Sequence, residues 1–217
     1  MTSGSKTAWL YYWDTDMTNL DQALSHAQTA VDGDPNNYYY QWILADVHLY
    51  RNEFDLARNL ASQQTVDEEA RSVHVDWADM LLLTGGAKQA IGMITTAIDQ
   101  CHCAERWFYW VLGWAYYADG QYEQSLQALT KVGNPRNAMR KNVIANLVAL
   151  GRIDEAEDQA KQYLKEEKDQ GITFNQPGGP VWPAMETIED RVPFEDPKQL
   201  ALWKQHLGTA FSTQVAP

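Results

Sequence analysis

Two cysteines flank a histidine at Cys101-His102-Cys103, and the 217-residue chain has no other cysteine. Thiolates and imidazoles are good zinc ligands, but a structural zinc site takes ligand pairs two to four residues apart and a second pair elsewhere. No second pair is visible, and a disulfide between residues so close in sequence would be strained. We therefore interpret the cysteines as two thiols in a turn and expect no metal and no other cofactor.

The other chemistry-bearing residues form no catalytic motif. The five histidines are scattered, and the chain has no glycine-rich phosphate loop, no His-Glu-x-x-His and no Gly-x-Ser-x-Gly segment. We expect no enzymatic activity. Aromatic residues are a more prominent feature, since Trp107, Trp110 and Trp114 recur at i, i+3 and i+7. That spacing is typical of one helix face, which either packs in a core or lines a groove.

Composition narrows the partners and the compartment. The formal net charge of −12 argues against nucleic acid and against anionic membrane surfaces, which attract clustered Lys and Arg. The charge serves solubility, and it also favours basic or neutral partners. There is no apolar run long enough to cross a membrane and no secretory signal pattern. We expect a cytoplasmic protein, or an extracytoplasmic one if the chain is excised from a membrane-anchored parent.

Small residues recur along the chain with a period near 34. They are Ala23, Ala57, Ala90, Ser125 and Ala156, which lie 34, 33, 35 and 31 residues apart. Three residues before them stand Leu20, Phe54, Ala87, Tyr122 and Ile153, and turn formers precede these at Thr18, Asn52, Gly85, Gly120 and Gly151. A fixed period of this length predicts an array of helical hairpins, in which the small residue marks the crossing of two helices.

The clearest copy, from Arg106 to Pro135, resembles the tetratricopeptide repeat (TPR). It contains Tyr109-x-x-Leu112-Gly113-x-x-Tyr116, followed by Gly120, Tyr122, Ser125 and Leu129. The TPR pattern likewise has a large residue, Leu-Gly and Tyr on its first helix, then a small and a large residue on its second. We expect Gly113 and Ser125 at the helix crossing and Gly120 in the left-handed conformation that ends the first helix.

The remaining copies are degenerate at the same positions, and the resemblance covers residues 4–170. It implies an all-α fold, a right-handed α-solenoid of about five TPR-like hairpins with a C-terminal capping helix. The expected repeats are about 4–37, 38–70, 71–105, 106–136 and 137–170, followed by a Pro/Gly linker at 171–183 and capping helices and a tail at 184–217. In the last helix, Asp196 is the predicted N-cap, Pro197 the first residue and Gly208 the end, with Leu200, Trp203 and Leu207 on one face.

The tail carries a second resemblance. The step Pro193-Phe194-x-Asp196-Pro197, followed by an amphipathic helix, is similar to the end of TPR regions appended to bacterial class III adenylate cyclases. No cyclase residues are present, so this resemblance implies the sensing or assembly part of such a system without cyclase activity.

The TPR resemblance also implies a binding surface, because family members bind ligands on a concave face lined by the first helix of each repeat. The matching positions here are Tyr12, Tyr39, Trp42, Asp46, Tyr50, Asp79, Trp107, Trp110, Trp114 and Tyr117. Aromatic rings around carboxylates suit an apolar peptide that carries Lys or Arg. The same tryptophan spacing fits packing within the chain equally well.

These residues are compatible with three functions. The first is a noncatalytic scaffold that binds a peptide or partner segment in the aromatic, acidic groove. The second is self-association into a homo-oligomer, or a regulatory module whose linker at 171–183 plugs its own groove. The third is a sensor for a small organic cation. Neither nucleic acid binding nor membrane insertion is expected.

Overall fold

The described residues of the chain are entirely helical and turn. The computed structural model describes residues 17–64, 71–100, 104–133, 138–169 and 196–212, which contain ten α-helices and no strand. The helices are α1 (Met17–Gly33), α2 (Tyr38–Tyr50), α3 (Phe54–Ser62), α4 (Arg71–Leu83), α5 (Ala87–Gln100), α6 (Arg106–Ala118), α7 (Tyr122–Thr130), α8 (Ala138–Ala149), α9 (Ile153–Asp169) and α10 (Pro197–Phe211). The predicted all-α class is confirmed. Within these ranges, no helix combines the length and apolar content that crossing a bilayer requires.

The ten helices belong to two compact units, α1 to α5 and α6 to α10. In the first unit, α2 packs against α1 and α3, α4 packs against α3 and α5, and α2 contacts α4. In the second unit, α8 packs against α7 and α9, α6 packs against α7, and α10 lies against α8 and α9. The pairs α2/α3, α4/α5, α6/α7 and α8/α9 are therefore helical hairpins, the element that the repeat pattern predicts. One continuous array over 4–170 stays a prediction.

The recurring small residues mark close helix crossings. Ala23, Ala57, Ala90, Ser125 and Ala156 are all fully buried. At the crossing of α6 and α7, the Ser125 hydroxyl donates to the Gly113 carbonyl at 2.5 Å. A Cβ atom added to Gly113 would lie only 2.7 Å from Cγ of Leu129. The backbones of α6 and α7 therefore lie so close that only small residues fit at positions 113 and 125, as the sequence predicts.

Four hairpins share one turn. Asn52, Gly85, Gly120 and Gly151 have φ of 59°, 80°, 74° and 72°, the left-handed conformation that ends a helix. The next residue in each case donates its N–H to a carbonyl five residues earlier, from Glu53 to His48, Gly86 to Leu81, Gln121 to Tyr116 and Arg152 to Leu147, at 2.7–2.9 Å. The turn predicted at Thr18 is wrong, since α1 already begins at Met17.

The last helix begins as predicted and ends later. The Asp196 side chain accepts the backbone N–H of Lys198 at 2.9 Å, and Pro197 is the first helical residue. The helix continues past the predicted end at Gly208, because Ala210 and Phe211 extend its apolar face and are fully buried. Tyr12, Cys101 to Cys103, the linker at 171–183 and residues 184–192 lie outside the described residues.

Replacing Gly113 with Ala tests the close crossing. We expect Gly113→Ala to lower the free energy of unfolding by about 1–3 kcal/mol, because the added methyl group displaces the buried Leu129 side chain. The control is Gly208→Ala, also in a helix of this unit, where an added Cβ has nothing within 4 Å. It should gain up to about 1 kcal/mol from helix propensity. Equal effects of the two changes in urea unfolding would contradict the close crossing.

Candidate functional site

The accessible side of α2 carries four of the residues selected from the sequence. Tyr39, Trp42, Asp46 and Tyr50 follow each other at intervals of three and four residues, which places them on one face of the helix. Most other side chains of α2 are buried in the core. They are Ile43, Leu44, Ala45, Val47 and Leu49, each at most 5% exposed. The Asn37 side chain caps the helix by accepting the backbone N–H groups of Tyr39 and Tyr40 at 3.2 and 3.3 Å.

Two aromatic rings are paired at the start of this face. The rings of Tyr39 and Trp42 stack with centroids 6.2 Å apart and planes inclined by 16°. Tyr39 is 38% exposed, whereas Trp42 is half-buried against the core of α1 and α2. The buried indole N–H of Trp42 has no hydrogen-bond acceptor among the described residues. A buried donor without an acceptor costs about 1–3 kcal/mol.

Helix α4 is buried on nearly all sides and exposes two carboxylates. Between His74 and Leu83, only Asp76, Asp79 and Leu83 reach solvent. Their spacing of three and four residues places them on one side of the helix. Asp79 was selected from the sequence, but Asp76 was missed, because the positions carried over from the TPR resemblance pass over it. The signal was present, since Asp76 and Asp79 are the only acidic residues of a strongly apolar helix.

The three carboxylates of Asp46, Asp76 and Asp79 repel one another. Burial raises the pKa of Asp46 to about 7, and repulsion by Asp79 and Asp76 adds to the effect. Partial desolvation likewise raises the pKa values of Asp79 and Asp76, and repulsion by Asp76 adds to the rise at Asp79. Asp79 is nevertheless exposed and the other two are half-buried, so each carboxylate loses only part of its hydration. We call Tyr39, Trp42, Asp46, Tyr50, Asp76 and Asp79 the acidic face.

Among the described residues, the acidic face has no counterion of its own. Within the described ranges, no hydrogen bond or ion pair joins any of its three carboxylates to another residue. The arginine that follows Tyr50 is engaged elsewhere, since Arg51 pairs with Asp21 and with Glu53. Arg58 on α3 pairs with Asp55 at 2.9 Å and donates to the carbonyl of Thr84. The face therefore presents uncompensated negative charge beside an aromatic pair.

The carboxylates do not form a metal site. In the described part of the chain, no group of three or more His, Cys, Asp or Glu side chains is arranged to hold a metal ion. The arrangement instead suits a diffuse organic cation, such as a guanidinium or ammonium group on a longer ligand.

In the second unit, Trp107 and Trp110 are half-buried on α6. The indole N–H of Trp107 donates to Glu105 at 3.2 Å, and its ring meets Phe108 edge-on. The indole nitrogen of Trp110 is buried and, like that of Trp42, lacks an acceptor among the described residues. These two tryptophans retain accessible surface for a ligand.

Trp114 and Tyr117, also selected from the sequence, contact α10, which buries Tyr117 and leaves Trp114 half-buried. The ring of Trp114 meets Trp203 edge-on at 5.5 Å, and the hydroxyl of Tyr117 is hydrogen-bonded to Nδ1 of His206 at 2.7 Å. Tyr117 is only 7% exposed, and burial raises its pKa. For Tyr117, the expectation of an open groove is therefore corrected, because the last helix already packs on it. Trp114 is half-buried like Trp107 and Trp110, and its place in a groove stays a prediction.

The same helix satisfies polar groups of α8. The indole N–H of Trp203 donates to the amide oxygen of Asn142 at 3.1 Å, and the Lys141 ammonium lies 5.6 Å above the Trp203 ring. Both α8 residues are buried, at 2% and 4% exposure. A buried lysine and asparagine on the first helix of a hairpin are thus explained by contacts within the chain. Tyr12, the remaining selected residue, lies outside the described residues.

Comparison with known proteins supports the repeat fold. No family model and no curated protein matches the chain. A crystal structure of MamA aligns with a TM-score of 0.58 at 17% identity, covering 72% of this chain and 94% of MamA. A second MamA structure gives 0.56 at 18% identity, covering 76% and 94%. TTC0263, a thermophilic TPR protein of Thermus thermophilus, gives 0.56 at 15% identity, covering 91% of this chain and 99% of its own.

At sequence identities of 15–18%, these similarities show a shared fold and do not show a shared function. None of these matches bears on the resemblance to cyclase-associated regions, which stays a prediction. The hairpins, their shared turns, their close crossings and the solved structures together show that the chain has a TPR-like fold.

Proposed function

We propose that this protein is a noncatalytic interaction scaffold that binds a basic segment of a partner protein on the acidic face. The observation that carries the proposal is the set of three uncompensated carboxylates on α2 and α4, beside the stacked rings of Tyr39 and Trp42. A charged group without a partner is costly where hydration is incomplete, and a bound cation removes that cost. The TPR-like fold supports this class of function, because arrays of hairpins present extended binding surfaces.

The chemistry of the face favours Lys or Arg side chains with apolar neighbours. A guanidinium or ammonium group over the exposed face of Tyr39 or Trp42 gains about 0.5–2 kcal/mol. The carboxylates add hydrogen bonds to the same group, and Arg can take two at once. Aromatic side chains that are already stacked lose little conformational freedom on binding, which makes them effective contact points.

A small organic cation remains the alternative that the same rings and carboxylates would suit. In the second unit, the proposal retains the half-buried Trp107, Trp110 and Trp114 as contacts, and it excludes Tyr117, which α10 covers.

Selection from a displayed library of random twelve-residue peptides tests the proposal. Against the parent chain, we expect peptides enriched in Arg or Lys next to aromatic or aliphatic residues. Against the Asp76→Asn, Asp79→Asn double variant, the basic enrichment should disappear, because the change removes two charges and keeps the shape of the side chains.

A variant that removes a charge elsewhere in the same unit serves as the control. Asp99→Asn changes an exposed residue of α5 and should select the same peptides as the parent chain. The proposal fails if the selected peptides lack basic residues, or if the double variant selects the same peptides as the parent.

Substitution of Trp42 tests the contribution of its ring. For a selected peptide, Trp42→Phe should weaken binding about 2–10-fold by calorimetry, because the smaller ring offers less contact area and a weaker cation–π surface. Equal affinities of the parent and Trp42→Phe chains would show that the ligand does not use this ring.

A further inference from the structure

We infer that α6 and α8 form a helix-binding surface that α10 occupies in this structure, and that the same surface accepts α10 from a second copy of this chain. The surface includes Trp114 and Tyr117 on α6 and Lys141 and Asn142 on α8. Two copies that exchange their last helices form a dimer. The helix-binding surface lies in the second unit and does not involve the acidic face.

The placement of α10 differs from that of the other helices in this unit. Helix α8 packs more extensively on α7, the second helix of the preceding hairpin, than on α6. Helix α10 reverses this order, since it packs mainly on α8, the first helix of the preceding hairpin, and less on α9. It also reaches α6, where Trp203 meets Trp114 edge-on at 5.5 Å. The last helix therefore lies across the first helices of two hairpins instead of repeating the stacking of α8.

The buried stripe of α10 specifies what the helix-binding surface accepts. Trp203, Leu207, Ala210 and Phe211 are at most 3% exposed, whereas Leu202 is 38% exposed. The three large side chains of the stripe follow each other at intervals of four residues, the spacing with which an amphipathic helix binds in a groove. The surface therefore selects a helix with an aromatic residue at each end of such a stripe.

The receiving side is partly polar, which makes the docked helix separable. The hydroxyl of Tyr117 is hydrogen-bonded to Nδ1 of His206 at 2.7 Å. The indole N–H of Trp203 donates to Asn142 at 3.1 Å, and the Lys141 ammonium lies 5.6 Å from the centroid of the same ring. Contacts between parts that separate are typically more polar than a permanent core. When α10 leaves, water hydrates these groups again, so the exposed surface costs less than an apolar one.

Charge favours a second copy of the chain as the source of the helix. Helix α10 carries Lys198 and Lys204 and no acidic residue, although the formal net charge of the chain is −12. Helix α9, on which α10 also packs, has more acidic than basic side chains. A basic helix is attracted to this acidic helix in another copy as it is in its own chain. Because the contacts are identical in both cases, exchange is a low-cost route to a dimer.

Competition between the two sources of α10 sets the concentration at which copies pair. A helix tethered to its own chain acts at an effective concentration on the order of millimolar. We therefore expect a monomer at about 10 μM and exchanged dimers as the concentration approaches about 1 mM.

A labelled peptide of residues 196–212 tests the helix-binding surface. It is titrated by fluorescence anisotropy into the parent chain and into the Trp203→Ala, Leu207→Ala chain, whose own α10 is weakened. We expect the peptide to bind this double variant at least about tenfold more tightly than the parent, where the tethered helix competes. The peptide should lose at least about tenfold in affinity with Leu207→Ala. Leu202→Ala, the same change at an exposed position, should leave its affinity unchanged.

Circular dichroism of the double variant decides whether α10 is separable. The loss of helix should not exceed the 15 residues of α10 itself. Unfolding of further helices would show that α10 is a permanent part of the core, and that result overturns the inference. It is also overturned if the double variant stays folded but binds the peptide no more tightly than the parent does.

Sedimentation of whole chains tests the second copy as the partner. The parent and Leu202→Ala chains should both form dimers near about 1 mM, and the double variant should not. If the parent stays monomeric there, or the double variant pairs equally well, exchange of α10 does not occur. None of these results bears on the acidic face, which the peptide selection tests separately.

Discussion

The close crossing of the two helices within each hairpin determines how the neighbouring helices can pack. Where α6 and α7 meet, the Ser125 hydroxyl donates a hydrogen bond to the Gly113 carbonyl. Leu129 lies so close to Gly113 that a methyl group on that residue would not fit. The equivalent small residues of the other hairpins are fully buried. Such crossings hold the two helices in one orientation. The shared left-handed turn reverses the chain between the two helices of each hairpin. In the first unit, α2 and α4 come into contact and present narrow accessible faces.

A helix enclosed by neighbours on most sides has few positions that reach solvent. On α4 these positions are occupied by Asp76 and Asp79, although the surrounding residues are Val, Trp, Met and Leu. Charged side chains at positions that reach solvent agree with the ordinary pattern of a packed helix. What distinguishes these two is their electrostatic interaction with Asp46 on α2, together with the absence of a cationic partner within the described residues. That concentration of like charge is the basis of the proposed binding surface.

Local rules made much of the fold predictable. The period of small residues, the turn glycines and the Asp-Pro start of α10 depend on contacts a few residues apart, and the structure confirms them. The failures involve longer-range packing. The helix α10 continues beyond Gly208 because Phe211 is buried against Tyr163 of α9. The covering of Tyr117 follows from a contact with a residue 89 positions later, and no local pattern contains that information. Asp76 was missed because the transferred repeat positions outweighed the composition of its own helix.

The two units differ in how their polar groups are satisfied, and that difference separates packing from binding. On α8, Asn142 and Lys141 are covered by Trp203. The atoms left over there are the amide nitrogen of Asn142 and the amide oxygen of Asn146, one donor and one acceptor. A donor and an acceptor are complementary, and neither carries a charge that needs balancing. Three carboxylates are all acceptors of the same charge, and no cation on their own helices balances them within the described residues. A cation from outside the chain would balance them, and this is what the proposed basic ligand supplies.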